Sequence, residues 1–284
     1  MSDDSVSLKV TSLNGVKVYH CTSGKSTPQW LKEYKGREGS LRYNAEFRSR
    51  IELIQDFEMP IAATRIKMSP DGRYIAALGT YKPRIRLYDT ENLSMKLERY
   101  ADADLVQMQF LADDYSKMII GRSDRALELH AQNGLHTVVR VPKFIRDLFY
   151  HRPTCDTYVA CSGREVYRLN LEQGSFLAPL LTTFENGVNV IGSNPIHPII
   201  AFGGGEGGRI ECWDPRDRTR AAIFDIPSSV LASHPAIARA FKQAPLPLEI
   251  SAMRFDDTGM NLSLGTNNGQ VLTYDIRAGA PFFA

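Results

Sequence analysis

The chain carries the phrase Arg84-Ile85-Arg86-Leu87-Tyr88-Asp89 and repeats it, with changes, as Arg209-Ile210-Glu211-Cys212-Trp213-Asp214 and Gln270-Val271-Leu272-Thr273-Tyr274-Asp275. Each copy alternates apolar and polar residues and ends in an aromatic residue followed by Asp. Alternation with a period of two is typical of a half-buried antiparallel strand. A phrase that recurs along the chain predicts a fold built from repeated units.

The spacing of the copies identifies the unit. The residue before the final Asp serves as a marker, and weaker copies place further markers at Tyr19, His130 and Leu169. Tyr88, His130, Leu169 and Trp213 follow one another at intervals of 42, 39 and 44 residues. Four-stranded propeller blades of WD-repeat type span about 40 to 45 residues. We therefore expect an all-β WD-repeat β-propeller with about six blade units, out of the seven that are commonest for this repeat.

Two longer intervals predict insertions between blades. The first interval, from Tyr19 to Tyr88, is 69 residues long and places a basic, helical insertion at residues 22–60. Within it Phe47, Ile51 and Ile54 have the spacing of one helical face. From Lys25 to Arg50 the insertion holds seven Lys or Arg and three Glu, which makes it the most basic stretch of the chain.

Three interpretations of this basic insertion remain open: a solvated helical decoration, a protein-docking element, and a contact with RNA phosphates. Tyr34, Tyr43 and Phe47 lie among the basic residues and suit either base stacking or packing against the blades. The candidate partner or RNA contacts are Lys32, Lys35, Arg37, Arg42, Arg48 and Arg50.

The second insertion, at residues 227–248, lies in the 61-residue interval between Trp213 and Tyr274. It is predicted to hold one short helix and a Pro-rich loop. Ser233 is the expected N-cap of the helix, with Pro235 in its first turn.

Catalytic and cofactor motifs find little support. Gly203-Gly204-Gly205-Glu206-Gly207-Gly208 fits the pattern G-x-G-x-x-G, but a strand follows it where a dinucleotide site needs a helix. We interpret it as a hairpin connection. The six histidines and four cysteines show no metal-ligand spacing, and the cysteines are expected to be reduced. We expect no catalytic residues, no metal, no cofactor and no small-molecule substrate.

The marker residues themselves are expected to be structural. An Asp that follows a strand commonly accepts hydrogen bonds from the next backbone amides and tightens the turn. We assign this role to Asp89, Asp214 and Asp275, and blade packing to Trp213. An alternative comes from Trp213-Asp214-Pro215-Arg216, which resembles the W-D-x-R pattern of substrate receptors on cullin-type ubiquitin ligases.

Composition is compatible with one domain. The net charge of +2 neither requires nor excludes nucleic acid, and no run of 18 apolar residues predicts a membrane span. We expect residues 1–284 to form a single propeller domain. Because the chain stops just after a marker, we also expect it to be truncated at its C-terminus by about one blade.

Longer stretches of the sequence resemble a known family. Residues 47–60, which run into Ala63–Asp89, closely resemble the nucleolar protein 10 family, and the similarity continues through Ile145–Tyr150 and Gly208–Asp214. The resemblance implies a non-enzymatic scaffold of the nucleolus that takes part in assembly of the small-subunit pre-ribosome and in pre-rRNA processing. It implies other ribosome-assembly proteins and pre-rRNA as partners.

Overall fold

The computed structural model describes residues 9–13, 16–21, 25, 29–30, 32, 43–55, 59, 61–92, 94–205, 207–233, 247–277 and 281–283. The chain divides into two compact units, Met1–Ala101 and Asp102–Ala284. Almost all regular structure in both units is antiparallel β-sheet. The predicted all-β class is therefore confirmed.

The first unit contains two sheets. Strands β1 (Lys9–Leu13), β2 (Val16–His20) and β3 (Glu52–Gln55) form a sheet of three strands in that order. A four-stranded sheet follows, with its strands in chain order. Its strands are β4 (Ala63–Met68), β5 (Tyr74–Gly79), β6 (Arg84–Asp89) and β7 (Ser94–Tyr100).

The second unit contains four four-stranded sheets of the same simple order. The first consists of β8 (Leu105–Phe110), β9 (Lys117–Arg122), β10 (Ala126–Ala131) and β11 (Gly134–Arg140). The second consists of β12 (Ile145–His151), β13 (Asp156–Cys161), β14 (Glu165–Asn170) and β15 (Ser175–Leu181).

The third and fourth sheets of this unit continue the series. Strands β16 (Val188–Ser193), β17 (Ile200–Gly204), β18 (Arg209–Asp214) and β19 (Thr219–Asp225) form one. Strands β20 (Ile250–Phe255), β21 (Asn261–Thr266), β22 (Val271–Asp275) and β23 (Pro281–Phe283) form the other. A 3₁₀ helix, Arg152–Thr154, connects β12 to β13.

The marker phrase occupies one place in all five four-stranded sheets. Tyr88, His130, Leu169, Trp213 and Tyr274 lie on the third strand of their sheets, namely β6, β10, β14, β18 and β22. The repeat predicted from spacing is thus a real structural unit. Five complete four-stranded sheets and one sheet of three strands lie within the described residues. The count of six blades out of seven remains a prediction.

Both insertions contain helical residues among those described, at 29–30, 32 and Ala45–Arg48 in the first and at Ile226–Ser233 in the second. One helical prediction needs correction. Helix α1 covers only Ala45–Arg48, capped by the Asn44 side chain, and the chain then enters strand β3. Phe47, Ile51 and Ile54 therefore do not share a helical face, because pairing of β3 with β2 fixes Glu52–Gln55 as a strand. In the second insertion, helix α2 covers Ile226–Ser233, and the predicted helix that would begin after Ser233 remains a prediction. Residues 234–246, which include Pro235, lie outside the described residues.

The glycine-rich segment forms a hairpin, as expected. Gly203 and Gly204 end strand β17, and Gly207 and Gly208 lie in the turn that leads into β18. A Cβ atom on Gly204 would overlap with the ring of Phe184. Glycine at this position therefore allows an aromatic ring to pack directly on the backbone.

Neighbouring sheets of the second unit share their cores. Their first strands pack in succession, β8 against β12, β12 against β16 and β16 against β20. One shared core joins Tyr158 and Val166 of one sheet to Phe202 and Trp213 of the next. A single four-stranded sheet cannot bury both of its faces, so stacking supplies the missing cover.

The first strands share a shift in pairing register that no sequence pattern predicts. In each of the five four-stranded sheets the pairing of the first and second strands shifts after the opening residue pair. Such a bulge bends the strand and redirects the residue that follows it. The residues that follow it are Arg65, Gln107, Asp147, Val190 and Ala252.

Asp147 uses this position to connect three sheets. Its carboxylate accepts hydrogen bonds from Gln107 Nε2 of β8 at 2.7 Å and from the Ile191 amide of β16 at 2.8 Å. It also accepts from the Leu148 amide at 2.8 Å. Asp147 is only 8% exposed. A buried carboxylate satisfied by several donors fixes their relative positions, because each donor would be orphaned without it.

A similar buried carboxylate holds Trp213. The indole Nε1 donates to Glu211 Oε2 at 2.9 Å, and the other carboxylate oxygen of Glu211 accepts from the Thr183 amide at 2.9 Å. In β10, Glu128 takes the same place relative to His130 and bonds it at 3.0 Å. These contacts give a physical basis for the predicted packing role of Trp213.

The three predicted structural aspartates have the hydrogen bonds of turn-forming residues. Asp89 accepts from the backbone amides of Glu91 and Asn92 at 3.1 and 3.4 Å. Asp214 accepts from the Arg216 amide at 2.8 Å, and Asp275 from the Arg277 amide at 2.9 Å.

Asp89 is the most deeply buried of the three and is also ion-paired with Arg73. Burial acts to raise the pKa of this carboxyl. Hydrogen bonds from Arg73, Asn92 and Glu91 overcome that effect and lower the pKa to about 2.

We predict that Asp147→Ala lowers the free energy of unfolding by about 3 kcal/mol, because it leaves the Gln107 amide and the Ile191 N–H buried without their acceptor. Urea unfolding followed by circular dichroism measures the change. Asp217→Ala, at an exposed position, is the matched control and should change the free energy by less than about 0.5 kcal/mol. Equal effects of the two substitutions would show that Asp147 does not connect the sheets.

We predict that Asp89→Asn lowers the free energy of unfolding at pH 7 by about 2 kcal/mol and by less at pH 3. A folded-state pKa below the unfolded value of about 3.9 stabilises the fold above pH 4, and this contribution is lost as the pH falls toward the folded pKa. Urea unfolding at both pH values tests this. Asp275→Asn, at the same turn position but more exposed, should cost less at pH 7. A loss for Asp89→Asn that does not depend on pH would contradict the prediction.

Candidate functional site

The described part of the first insertion is anchored by aromatic packing. Trp30 is 1% exposed, and its ring meets Phe47 edge-on with centroids 5.8 Å apart. The Lys25 ammonium lies 4.7 Å from the centre of the Trp30 ring, and the Arg50 guanidinium lies 3.6 Å from that of Phe47. Phe47 thus serves packing, whereas Tyr43 is 87% exposed.

The candidate basic contacts differ in availability. Lys32 and Arg48 are exposed. Arg50 is engaged internally, since its Nε donates to Glu52 Oε1 at 2.8 Å and its Nη1 donates to the Phe47 carbonyl at 2.5 Å. Lys35, Arg37 and Arg42 lie outside the described residues. The structure therefore does not gather the six candidates into one described site, and their role remains a prediction.

The second unit has two ends of different chemistry. We call the end that carries the turns between first and second strands, and between third and fourth strands, the turn face. The opposite end, where the first strands begin, is the entry face. Antiparallel order places these connections at alternate ends of every sheet.

The turn face contains two clefts. One, of about 380 Å³, lies between the sheets β12–β15 and β16–β19 and includes His151, Arg152, His197 and Arg216 in its lining. The other, of about 330 Å³, lies between the sheets β8–β11 and β12–β15 and includes Lys117, His130 and His136. Tyr150 lines both clefts. We call the two clefts together the turn-face groove.

The charged groups of this groove are cationic. Arg152 Nη1 pairs with Asp113 at 2.6 Å, and Asp113 is largely exposed. Among the described residues, Lys117 and Arg216 have no carboxylate partner within 4.0 Å. Burial lowers the pKa of His151, the nearby Arg168 and Arg216 add to this, and Asp156 opposes it. His151 therefore presents an uncharged ring at neutral pH.

The entry face is mixed in charge. Its two clefts, of about 420 and 380 Å³, both include Glu185, and Arg209 and Glu249 line one each. Arg146 Nη1 donates to Asn189 Oδ1 at 2.5 Å, and Asn189 Nδ2 donates to Glu249 Oε2 at 3.5 Å. This chain of hydrogen bonds connects the beginnings of three consecutive first strands.

The W-D-x-R alternative rests on Arg216, and the next copy of the marker, Tyr274-Asp275-Ile276-Arg277, places an arginine at the matching position. The two arginines are not equivalent. Arg277 donates from Nε and Nη2 to both carboxylate oxygens of Asp275, at 3.2 and 2.9 Å. Arg216 makes no such pair with Asp214 and lies in the turn-face groove. The two arginines therefore do not present the same arrangement to a partner, and the ubiquitin-ligase alternative stays a prediction.

Nucleophilic and metal chemistry have little support in the described part of the chain. All four cysteines are free, and burial raises the pKa of Cys161 and Cys212 to about 12. Such thiols stay protonated at neutral pH. The described residues contain no cluster of His, Cys, Asp or Glu suited to a metal ion. None of their helices has the length and apolar character needed to cross a membrane.

Sequence reasoning missed the turn-face groove. The histidines lack metal-ligand spacing, although four of the six line this groove. The available signal was their position relative to the markers. His130 is itself a marker, His151 ends the first strand of its sheet, and His197 lies in the first turn of the next sheet.

Comparison with known proteins identifies the family. Residues 9–284 match the β-propeller family model described as the nucleolar protein 10-like N-terminal domain. The chain is 47% identical over 275 residues to Nucleolar protein 10 of Mus musculus, covering 96% of this chain and 38% of that protein. It is 41% identical over 288 residues to the ribosome biogenesis protein enp2 homolog of Schizosaccharomyces pombe, covering 98% of this chain and 43% of the relative.

A budding-yeast relative gives a similar result. The ribosome biogenesis protein ENP2 of Saccharomyces cerevisiae is 38% identical over 277 residues, which cover 96% of this chain and 37% of that protein. The chain thus spans about two fifths of the length of these relatives. With a family model matched along almost all of its residues, the chain belongs to the nucleolar protein 10 family.

Proposed function

We propose that this chain is a non-catalytic scaffold in assembly of the small-subunit pre-ribosome and in pre-rRNA processing, and that it acts in the nucleolus. The observation that carries the proposal is the continuous similarity, over 96–98% of the chain, to relatives named for the nucleolus or for ribosome biogenesis. The proposed partners are other assembly proteins and pre-rRNA, with no membrane and no small-molecule substrate.

Exposed apolar residues on the outer strands suit such a role. Leu135 and Val138 of β11 are 55% and 47% exposed, Leu181 of β15 is 65% exposed and Ile223 of β19 is 46% exposed. Fourth strands are the outer edges of their sheets, so these side chains face possible neighbours. A protein contact of standard size buries about 800 Å² on each partner. Several such contacts on a rigid stack of sheets would hold assembly factors in fixed relative positions.

The finer features of the domain belong to the same proposal. We propose a single propeller with about six blade units of a seven-bladed ring, and insertions at residues 22–60 and 227–248 as the specific docking elements. Loops that interrupt a repeat contribute little to its core and are where binding residues are commonly placed.

We predict that reversing the charge at Lys32, Lys35, Arg37 and Arg42 together weakens association with pre-ribosomes at least about fivefold, with almost no change in the melting temperature. The physical reason is that four cations become anions in the most basic stretch of the chain, which removes electrostatic attraction to an acidic partner or to phosphates. Sedimentation of tagged protein through sucrose gradients of nuclear extract measures the association.

The control reverses four exposed cations elsewhere, Lys96, Arg140, Arg209 and Arg254. It carries the same change of net charge and should leave co-sedimentation close to the wild-type level. Undiminished co-sedimentation of the insertion variant, or an equal loss in the control, would count against the insertion as a docking element.

A further inference from the structure

The turn-face groove has an unusual charge composition. Asp and Glu make up 32 of the 284 residues, nearly balancing 34 Lys and Arg. Yet no Asp or Glu is among the described residues that line either cleft of the groove. The entry-face clefts of the same unit do contain glutamates. The cationic character is therefore specific to one end of the unit and does not reflect its overall charge.

Rings accompany the cations. Phe149, Tyr150 and His151 end strand β12 and are all partly exposed. The rings of Phe149 and His151 lie 6.5 Å apart with a tilt of 49°. Tyr150 lines both clefts. Partly exposed rings beside cations are the combination that binds bases and phosphates of single strands. Of the three cations, Arg152 would exchange its exposed partner Asp113 for a phosphate.

We propose that the turn-face groove binds single-stranded RNA, with Lys117, Arg152 and Arg216 contacting phosphates and the rings of Phe149, Tyr150 and His151 stacking on bases. The choice of RNA over DNA rests on the proposed function. An acidic protein segment would satisfy the cations but would leave the row of rings without a planar partner. The groove crosses three consecutive sheets, which suits an extended strand better than a single anion.

The test measures binding of purified chain to a fluorescent 15-nucleotide oligouridine by anisotropy at 50 and 200 mM salt. Three phosphate contacts on a single strand give a log–log salt slope of about −2, which corresponds to an affinity about 20-fold weaker at the higher salt. Lys117→Ala combined with Arg216→Ala should weaken binding at least about tenfold at 50 mM salt and reduce the slope by about 1.4. Neither side chain has an ion pair among the described residues, so the melting temperature should not change.

The matched control removes two exposed arginines of the entry face, Arg164→Ala with Arg209→Ala, and should retain wild-type affinity and slope. Tyr150→Leu keeps apolar bulk but removes the shared ring, and should weaken binding at least about fivefold at unchanged slope. An unchanged affinity in the Lys117/Arg216 variant, or an equal loss in the control, would overturn the proposal.

Two competitors identify the class of ligand. If a poly-glutamate peptide displaces oligouridine at equal concentration, the groove is a site for acidic protein segments and the RNA assignment is wrong. If oligodeoxythymidine binds as tightly as oligouridine, the restriction to RNA is overturned.

The outcome is also separable from that of the proposed function. Protein that co-sediments with pre-ribosomes but binds no oligouridine would remove only the groove assignment. Protein that binds oligouridine through the groove but never co-sediments would remove the scaffold proposal.

Discussion

The structure depends on the need of each four-stranded sheet to cover two apolar faces. Strand β5, for example, has buried residues on both sides, including Ala76, Ala77 and Leu78. A four-stranded sheet on its own leaves one of these faces exposed to water. Such sheets are therefore stable only when they stack on one another. In the second unit the first strands pack in succession, and a separate cluster of buried residues lies between each pair of neighbouring sheets. Marker residues fill the sheets, turn aspartates hold the turns between strands, and buried glutamates hold the marker rings, so each sheet keeps the shape that stacking requires.

The repeat keeps its geometry while its chemistry changes. The marker position on the third strand is occupied by Tyr88, His130, Leu169, Trp213 or Tyr274. A buried glutamate holds the ring nitrogen of Trp213 and that of His130, whereas Leu169 needs no such partner. Asn170 replaces the turn aspartate after Leu169 and accepts from the Gln173 amide at 2.8 Å. What the fold requires is a side chain of suitable volume and a local acceptor for the turn, so the sequence is free to vary.

This freedom explains which features could be predicted. Period-two alternation and the marker spacing predicted the third strand of each four-stranded sheet, because both signals are local. Strand β3 was missed, since Glu52–Gln55 pairs with β2 across a long insertion and its neighbours have helical character. The connection made by Asp147 was also missed, because it depends on a bulge that no residue type marks. The turn-face groove combines residues of three sheets, and only stacking brings them together. Most of the basic insertion lies outside the described residues, so its role rests on sequence alone.

The hydrogen bonds that Asp147 makes across three sheets have a consequence for local unfolding of the second unit. Stacked repeats that touch only their neighbours can lose an end sheet without disturbing the rest, so their unfolding is only partly cooperative. A carboxylate that holds β8, β12 and β16 at once ties three sheets into one opening unit. Within the described part of the chain, the sheet β20–β23 makes no hydrogen bond to this carboxylate. Its backbone amides should therefore exchange with solvent through a smaller, less costly fluctuation than those of the three sheets before it.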